Sequence, residues 1–221
     1  MRNSLGNTLN YSLLAPARQE PRVLLLALST MLITLGQGAV VPILPLLVQS
    51  YGMTVTMVGV AVSAFALARA FANIPSGILC RRHGARSALV LGAIFSTVGN
   101  LLVGLTSSFV ALTTFRFVAG LGSALYITAA VIFVAEVSTP ENRARLMGIY
   151  QTAFLLGISL GPAVGGIIAE FFGLHAPFIV VAAVSALAGL WAWSRIPDHI
   201  ARIPKANERA TSTAPKASEP R

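Results

Sequence analysis

Long apolar runs alternate with short polar connections along this chain. Six such runs stand out: Val23 to Leu47, Val55 to Leu79, Ser87 to Leu105, Phe109 to Ala135, Leu146 to Phe172 and Ala176 to Trp193. Each approaches or exceeds the roughly 20 residues that a helix needs to cross a hydrocarbon core of about 30 Å. None alternates polar and apolar positions as a barrel strand would. The pattern predicts an all-α integral membrane protein, a six-transmembrane-helix bundle over residues 23–197. Residues 1–22 are polar and lack an apolar core. The span-length run that follows them is too long for a cleaved signal. Residues 198–221, rich in Ala, Pro, Ser, Thr, Lys and Glu, have nothing to bury and are expected to form a disordered cytoplasmic tail.

Composition agrees with that reading. With 55% of residues hydrophobic and 10% charged, and a mean hydropathy of +0.76, the chain is too apolar for a soluble domain. A net charge of +9 raises the question of nucleic acid. The basic residues, however, sit between the apolar runs. Arg81, Arg82 and Arg86 follow the second run, Arg143 and Arg145 the fourth, and Arg195, Arg202, Lys205 and Arg209 the sixth. The connections after the first, third and fifth runs carry no Lys or Arg. Under the positive-inside rule this alternation predicts a multi-pass protein of a bacterial inner membrane with both termini cytoplasmic, surrounded by membrane lipid and with no nucleic-acid partner. A single cysteine, Cys80, leaves no internal disulfide and no Cys-based metal site, and His83, His175 and His199 fall in loops or the tail. The sequence offers no metal site, no cofactor site and no catalytic constellation, so it does not read as an enzyme.

Charge inside hydrocarbon costs about 2.5–3.5 kcal/mol on insertion scales, so the basic residues within the spans need a reason. At about 1.5 Å per residue, Arg116 lies about 10 Å below the outer end of the fourth span and Arg69 about 20 Å down the second. Either each faces a water-filled central cavity, or Arg116 snorkels outward and Arg69 bonds to carbonyls and to neighbours such as Asn73. Gln37, Asn73, Asn100, Tyr126 and Gln151 are further polar side chains at membrane depth; each suits the cavity or the bonding of helix to helix. No Asp or Glu lies near the middle of a span, since Glu136 is at the inner end of the fourth and Glu170 near the outer end of the fifth. In the fifth span, Gly157, Gly161 and Gly165 recur four apart, with Pro162 and Gly166 beside them. Glycines at that spacing share one helix face and form a groove in which another helix can lie closely.

Four motifs resemble the amino-terminal half of a major facilitator superfamily transporter, in particular a drug:proton antiporter. Gly157, Gly161, Pro162, Gly165 and Gly166 fit the fifth-helix signature GxxxGPxxGG. Leu35, Gly36, Pro42 and Pro45 fit LGxxxxxPxxP in the first span. Arg116, Gly120, Gly122 and Ala124 fit RxxxGxGxA in the fourth, with Ala119 where a Gln is common, and Arg143, Arg145 and Gly148 resemble RxRxxG at the start of the fifth. The loop motif GxLADRxGRR is only partly kept as GILCRRHGAR. Gly77, Leu79, Arg82, Gly84 and Arg86 align, but Arg81 replaces the acid and Ala85 an arginine.

The resemblance implies alternating-access efflux of small organic compounds, coupled to protons, with Arg116 acting in the cavity. It implies a cytoplasmic gate involving Gly77, Arg82, Gly84, Arg86 and Glu136, weakened or rewired by the exchange at Arg81. It also implies a second six-helix half, from a second copy or a separate chain, because the family encloses its site between two halves. The rival reading is a non-transporting relic or an interaction subunit of a full-length carrier.

Overall fold

The computed structural model describes residues 21–52 and 54–196, so the predicted tail and most of the first 22 residues lie outside the described residues. The described chain is helical, in five elements: α1 (Pro21–Ser50), α2 (Val55–Leu105), α3 (Phe109–Val137), α4 (Arg143–Phe172) and α5 (Ala176–Arg195). All five are long and apolar enough to cross a membrane. The chain is an integral membrane protein of helices, as the apolar runs predict.

The sequence predicts six spans, and the described residues form five helical elements. The second and third runs merge into α2, which is 51 residues long and holds one non-helical residue, Gly84, at φ 87° and ψ 157°. Arginines are good helix formers, so Arg81 and Arg82 do not stop the helix. It continues to Gly84 and restarts at once. In sequence, 31 residues separate Phe65 from Ser96, about 46 Å if the helix were straight. Yet the backbones at both lie against α3, at Gly120 and Gly122 respectively. Helix α2 therefore folds back at Gly84 into two limbs, 55–83 and 85–105. The φ/ψ pair at Gly84 belongs almost only to glycine, and a side chain there costs about 1–3 kcal/mol. Gly84→Ala is expected to lower the thermal unfolding midpoint in detergent accordingly; an unchanged midpoint would show that the break does not depend on glycine.

Small residues let the helices meet backbone to backbone. Residues two apart point to nearly opposite sides of a helix, so Gly120 and Gly122 serve different neighbours. A Cβ on Gly120 would lie 2.5 Å from the Phe65 carbonyl oxygen of the first limb, whereas one on Gly122 would meet the Ser96 nitrogen and lie 2.6 Å from the Gly92 carbonyl oxygen of the second. Helix α3 is thus held between the limbs of α2. Gly157, Gly161 and Gly165 of α4 face α1 in the same way. A Cβ on Gly161 would meet the Leu35 carbonyl oxygen and lie 2.6 Å from Gly38 Cα, and one on Gly165 would lie 2.5 Å from Ala39 Cα. The groove read from the sequence is filled by the chain's own first helix. Gly166 has nothing within 4 Å of its Cβ position.

Two apolar clusters hold the ends of the bundle, one including Leu26, Leu89, Phe133 and Leu146 and the other Ile43, Leu47, Val103 and Leu112. Beyond the second, the His175 ring ties three segments. Its Nδ1 donates to the Gly104 carbonyl at 2.7 Å, its Nε2 lies 3.1 Å from the Tyr51 hydroxyl, and that hydroxyl also reaches the Thr106 carbonyl at 3.3 Å. Helix α4 differs from the rest in cover, since only 17% of its apolar window is buried, against 44–56% in the other four helices.

Candidate functional site

Arg116 and Gly120 are four apart on α3 and so share the face turned to the first limb of α2. That register carries the Arg116 guanidinium onto Phe65, with Cζ 4.4 Å from the ring centroid. Four residues on from Phe65, on the same limb face, Arg69 places its own Cζ 5.9 Å from the same centroid. One aromatic ring therefore meets two guanidiniums through the negative face of its π system. Arg116 is only 7% exposed and its Nε has no hydrogen-bond partner, while Arg69 is half-buried. No Asp or Glu occurs in the middle of any apolar run to balance them. The result is a concentration of positive charge at membrane depth, held by the packing of glycine on backbone.

Polar side chains join α1 and α3 nearby. Gln37 Nε2 donates to Ser123 Oγ at 2.9 Å. Tyr126 is fully buried, with its hydroxyl 2.9 Å from Ser29 Oγ. Ser29 spends its single proton on the Leu26 carbonyl at 2.9 Å, so Tyr126 is the donor of the pair. Tyr126→Phe removes that bond without stranding a donor and is expected to cost about 1 kcal/mol. Its thermal midpoint, set against wild type, checks this, and an unchanged midpoint would show that the pair contributes nothing.

The remaining sequence candidates are spread more widely. Asn73 is exposed on α2 and accepts from Thr128 Oγ1 at 3.4 Å. Gln151 is exposed on α4, apart from these contacts. Asn100 belongs to a separate knot, donating to the Ser96 carbonyl one turn back in its own helix at 2.8 Å, while Ser96 Oγ meets Ser185 Oγ of α5 at 3.0 Å and makes the bond between helices. Phe65 and Ser123 were not singled out from the sequence. Phe65 was legible in principle, as an aromatic residue one helical turn from a basic one within a span.

At the arginine-rich end, Gly77 is half-buried, Arg82 is exposed and Gly84 is the buried break. Arg86 lies over the Trp193 ring, with Cζ 5.3 Å from its centroid. Glu136 is half-buried with its Oε2 unpartnered. Arg143 Nη2 donates to the Ala135 carbonyl at 3.2 Å, which places that cation at the end of α3 beside Glu136. Among the described residues no three His, Cys, Asp or Glu side chains converge as metal ligands would. The arrangement offers charge and packing rather than a nucleophile or a ligand set.

Residues 26–219 match the family model described as Major Facilitator Superfamily. Among curated proteins, an uncharacterized MFS-type transporter of Methanocaldococcus jannaschii is 30% identical over 179 residues, which cover 81% of this chain and 46% of that one. Multidrug resistance protein 2 of Bacillus subtilis is 25% identical, covering 78% of this chain and 43% of its own length. The quinolone resistance protein NorA of Staphylococcus aureus is 28% identical, with 76% and 43% covered. The chain spans less than half the length of these relatives.

Proposed function

From the premise that the chain belongs to the Major Facilitator Superfamily, we propose that it forms the amino-terminal half of an alternating-access carrier that exports small organic compounds, drugs or metabolites, with proton coupling. The observation that carries this reading is Arg116, a cation buried at membrane depth whose Nε has no hydrogen-bond partner among the described residues. Such a residue costs free energy and is kept where function needs it. Its role is to hold a carboxylate, of the substrate or of the other half, and to lower that group's proton affinity. The multidrug and quinolone resistance proteins among the relatives supply the substrate class.

In this reading the two limbs of α2 are separate crossings, so that 23–197 makes six, with both termini on the cytoplasmic side of a bacterial inner membrane. Arg69, Gln37, Asn73, Tyr126 and Gln151 line or brace the cavity. Gly77, Arg82, Gly84, Arg86 and Glu136 form the cytoplasmic gate. The uncovered face of α4 supports a second six-helix half meeting it. The reaction is transport with no covalent chemistry. The rival reading is a subunit or relic without transport of its own. Accumulation of a fluorescent drug in cells expressing this chain decides between them. The carrier reading expects less dye than in empty-vector cells, and equal dye would favour the second.

A further inference from the structure

The Arg116 and Arg69 guanidiniums share the Phe65 ring, at 4.4 and 5.9 Å from its centroid, so one small molecule can reach both. An aromatic face attracts the charge but offers no oxygen lone pair, and a guanidinium donates without accepting. Among the described residues neither group makes a hydrogen bond or an ion pair. A further donor comes from α4. The Tyr150 hydroxyl acts electrostatically on Arg69, belongs to a residue only 1% exposed, and has no hydrogen-bond partner. The Thr30 hydroxyl of α1, beside Tyr150, is buried and unpartnered too. Either hydroxyl could accept from a guanidinium, yet neither does. Buried polar groups are nearly always satisfied, so orphans gathered from four helices mark a missing partner rich in acceptors.

We propose that Arg116 and Arg69 together select a small organic carboxylate, an anion on an apolar body, and disfavour organic cations. A carboxylate brings two acceptor oxygens and the negative charge that both guanidiniums call for, and its plane suits the guanidinium fork. An organic cation in the same place meets two like charges, which is a strong means of rejection. Beside the two arginines on the first limb of α2, Ala66 and Ala70 are exposed and short, which leaves room for an apolar body. Tyr150 and Thr30 supply neutral donors to the oxygens. The inference rests on the carrier reading, since it narrows the small organic compounds proposed there to anions.

Naphthoate, naphthylmethanol and naphthylmethylammonium share one apolar body and differ in charge, so their relative affinities test the proposal. Isothermal titration of the whole chain in phosphatidylcholine nanodiscs, with empty nanodiscs subtracted, is expected to show naphthoate binding at least about tenfold tighter than the alcohol, the gain from hydrogen bonds to charged groups, and the ammonium binding weakest. Arg116→Met with Arg69→Gln should bring naphthoate down to the alcohol, while Arg116→Lys, which keeps the charge without the fork, should retain part of the preference. Tyr150→Phe should weaken naphthoate about fivefold and leave the ammonium as it was. Arg195→Gln, at the exposed end of α5, should change nothing, which separates the site from the general positive charge of the protein. Equal affinities, a preference for the ammonium, or a preference for naphthoate that survives the double substitution would each overturn the proposal. Binding of none of the three would show that the arginines meet another protein group rather than a substrate, and would overturn it too. The carrier reading fails separately, by dye accumulation equal to that of empty-vector cells.

Discussion

Gly161→Leu is expected to prevent the bundle from closing, while Gly166→Leu, five residues on in the same helix, leaves it intact. The first substitution points a branched side chain at the Leu35 carbonyl, Gly38 Cα and the Ala39 nitrogen. These are backbone atoms in α1 and cannot turn aside as a side chain does. Overpacking of a flexible core costs about 1–3 kcal/mol, and here the two helices must separate instead, so the loss should exceed about 3 kcal/mol. The second substitution points into open space, at an exposed position, and should stay within about 0.5 kcal/mol. Size-exclusion chromatography after graded heating in detergent separates the outcomes. A Gly161→Leu protein as stable as wild type would refute the α1–α4 packing. If Gly166→Leu folds but loses efflux, the open side of α4 is where the other half engages.

Arg116→Met should abolish efflux and at the same time leave the protein as stable as before, or more so. Met keeps the aliphatic bulk against Phe65 and removes a charge whose Nε has no partner. Replacing buried ionic groups by apolar residues of similar volume is often neutral or stabilising by about 1–4 kcal/mol. A cation kept only for packing on the ring would behave differently, since stability and efflux would fall together. The informative readout is the pair of measurements, thermal midpoint and drug accumulation, on one variant. Efflux equal to wild type would remove Arg116 from the proposed mechanism.

The membrane class and most of the helix boundaries were legible because hydrocarbon imposes one simple demand, an apolar run of sufficient length. The join at Gly84 was not. A cluster of arginines reads as a loop, although arginine is comfortable in a helix and only the glycine interrupts it. In the candidate site, the positions of Arg116 and Arg69 were visible as charges out of place. The cue to what faces them is confined to Phe65 standing one helical turn before Arg69; its meeting with Arg116 could not be read, because it depends on Gly120 bringing α3 onto α2. Spacing of four marked the α4 glycines as a packing face, but no pattern in a single helix names its neighbour. The neighbour is the chain's own first helix, with Gly38 and Ala39 against that face.

The turn at Gly84 also bears on how the chain enters the bilayer. Its two limbs have no slack between them, so they insert as one hairpin rather than as two independent stakes. Arg81, Arg82 and Arg86 sit at or beside its tip. Dragging that tip through hydrocarbon would cost about 2.5–3.5 kcal/mol for each arginine. Three cations at the tip therefore oppose its passage through hydrocarbon far more than the apolar limbs do.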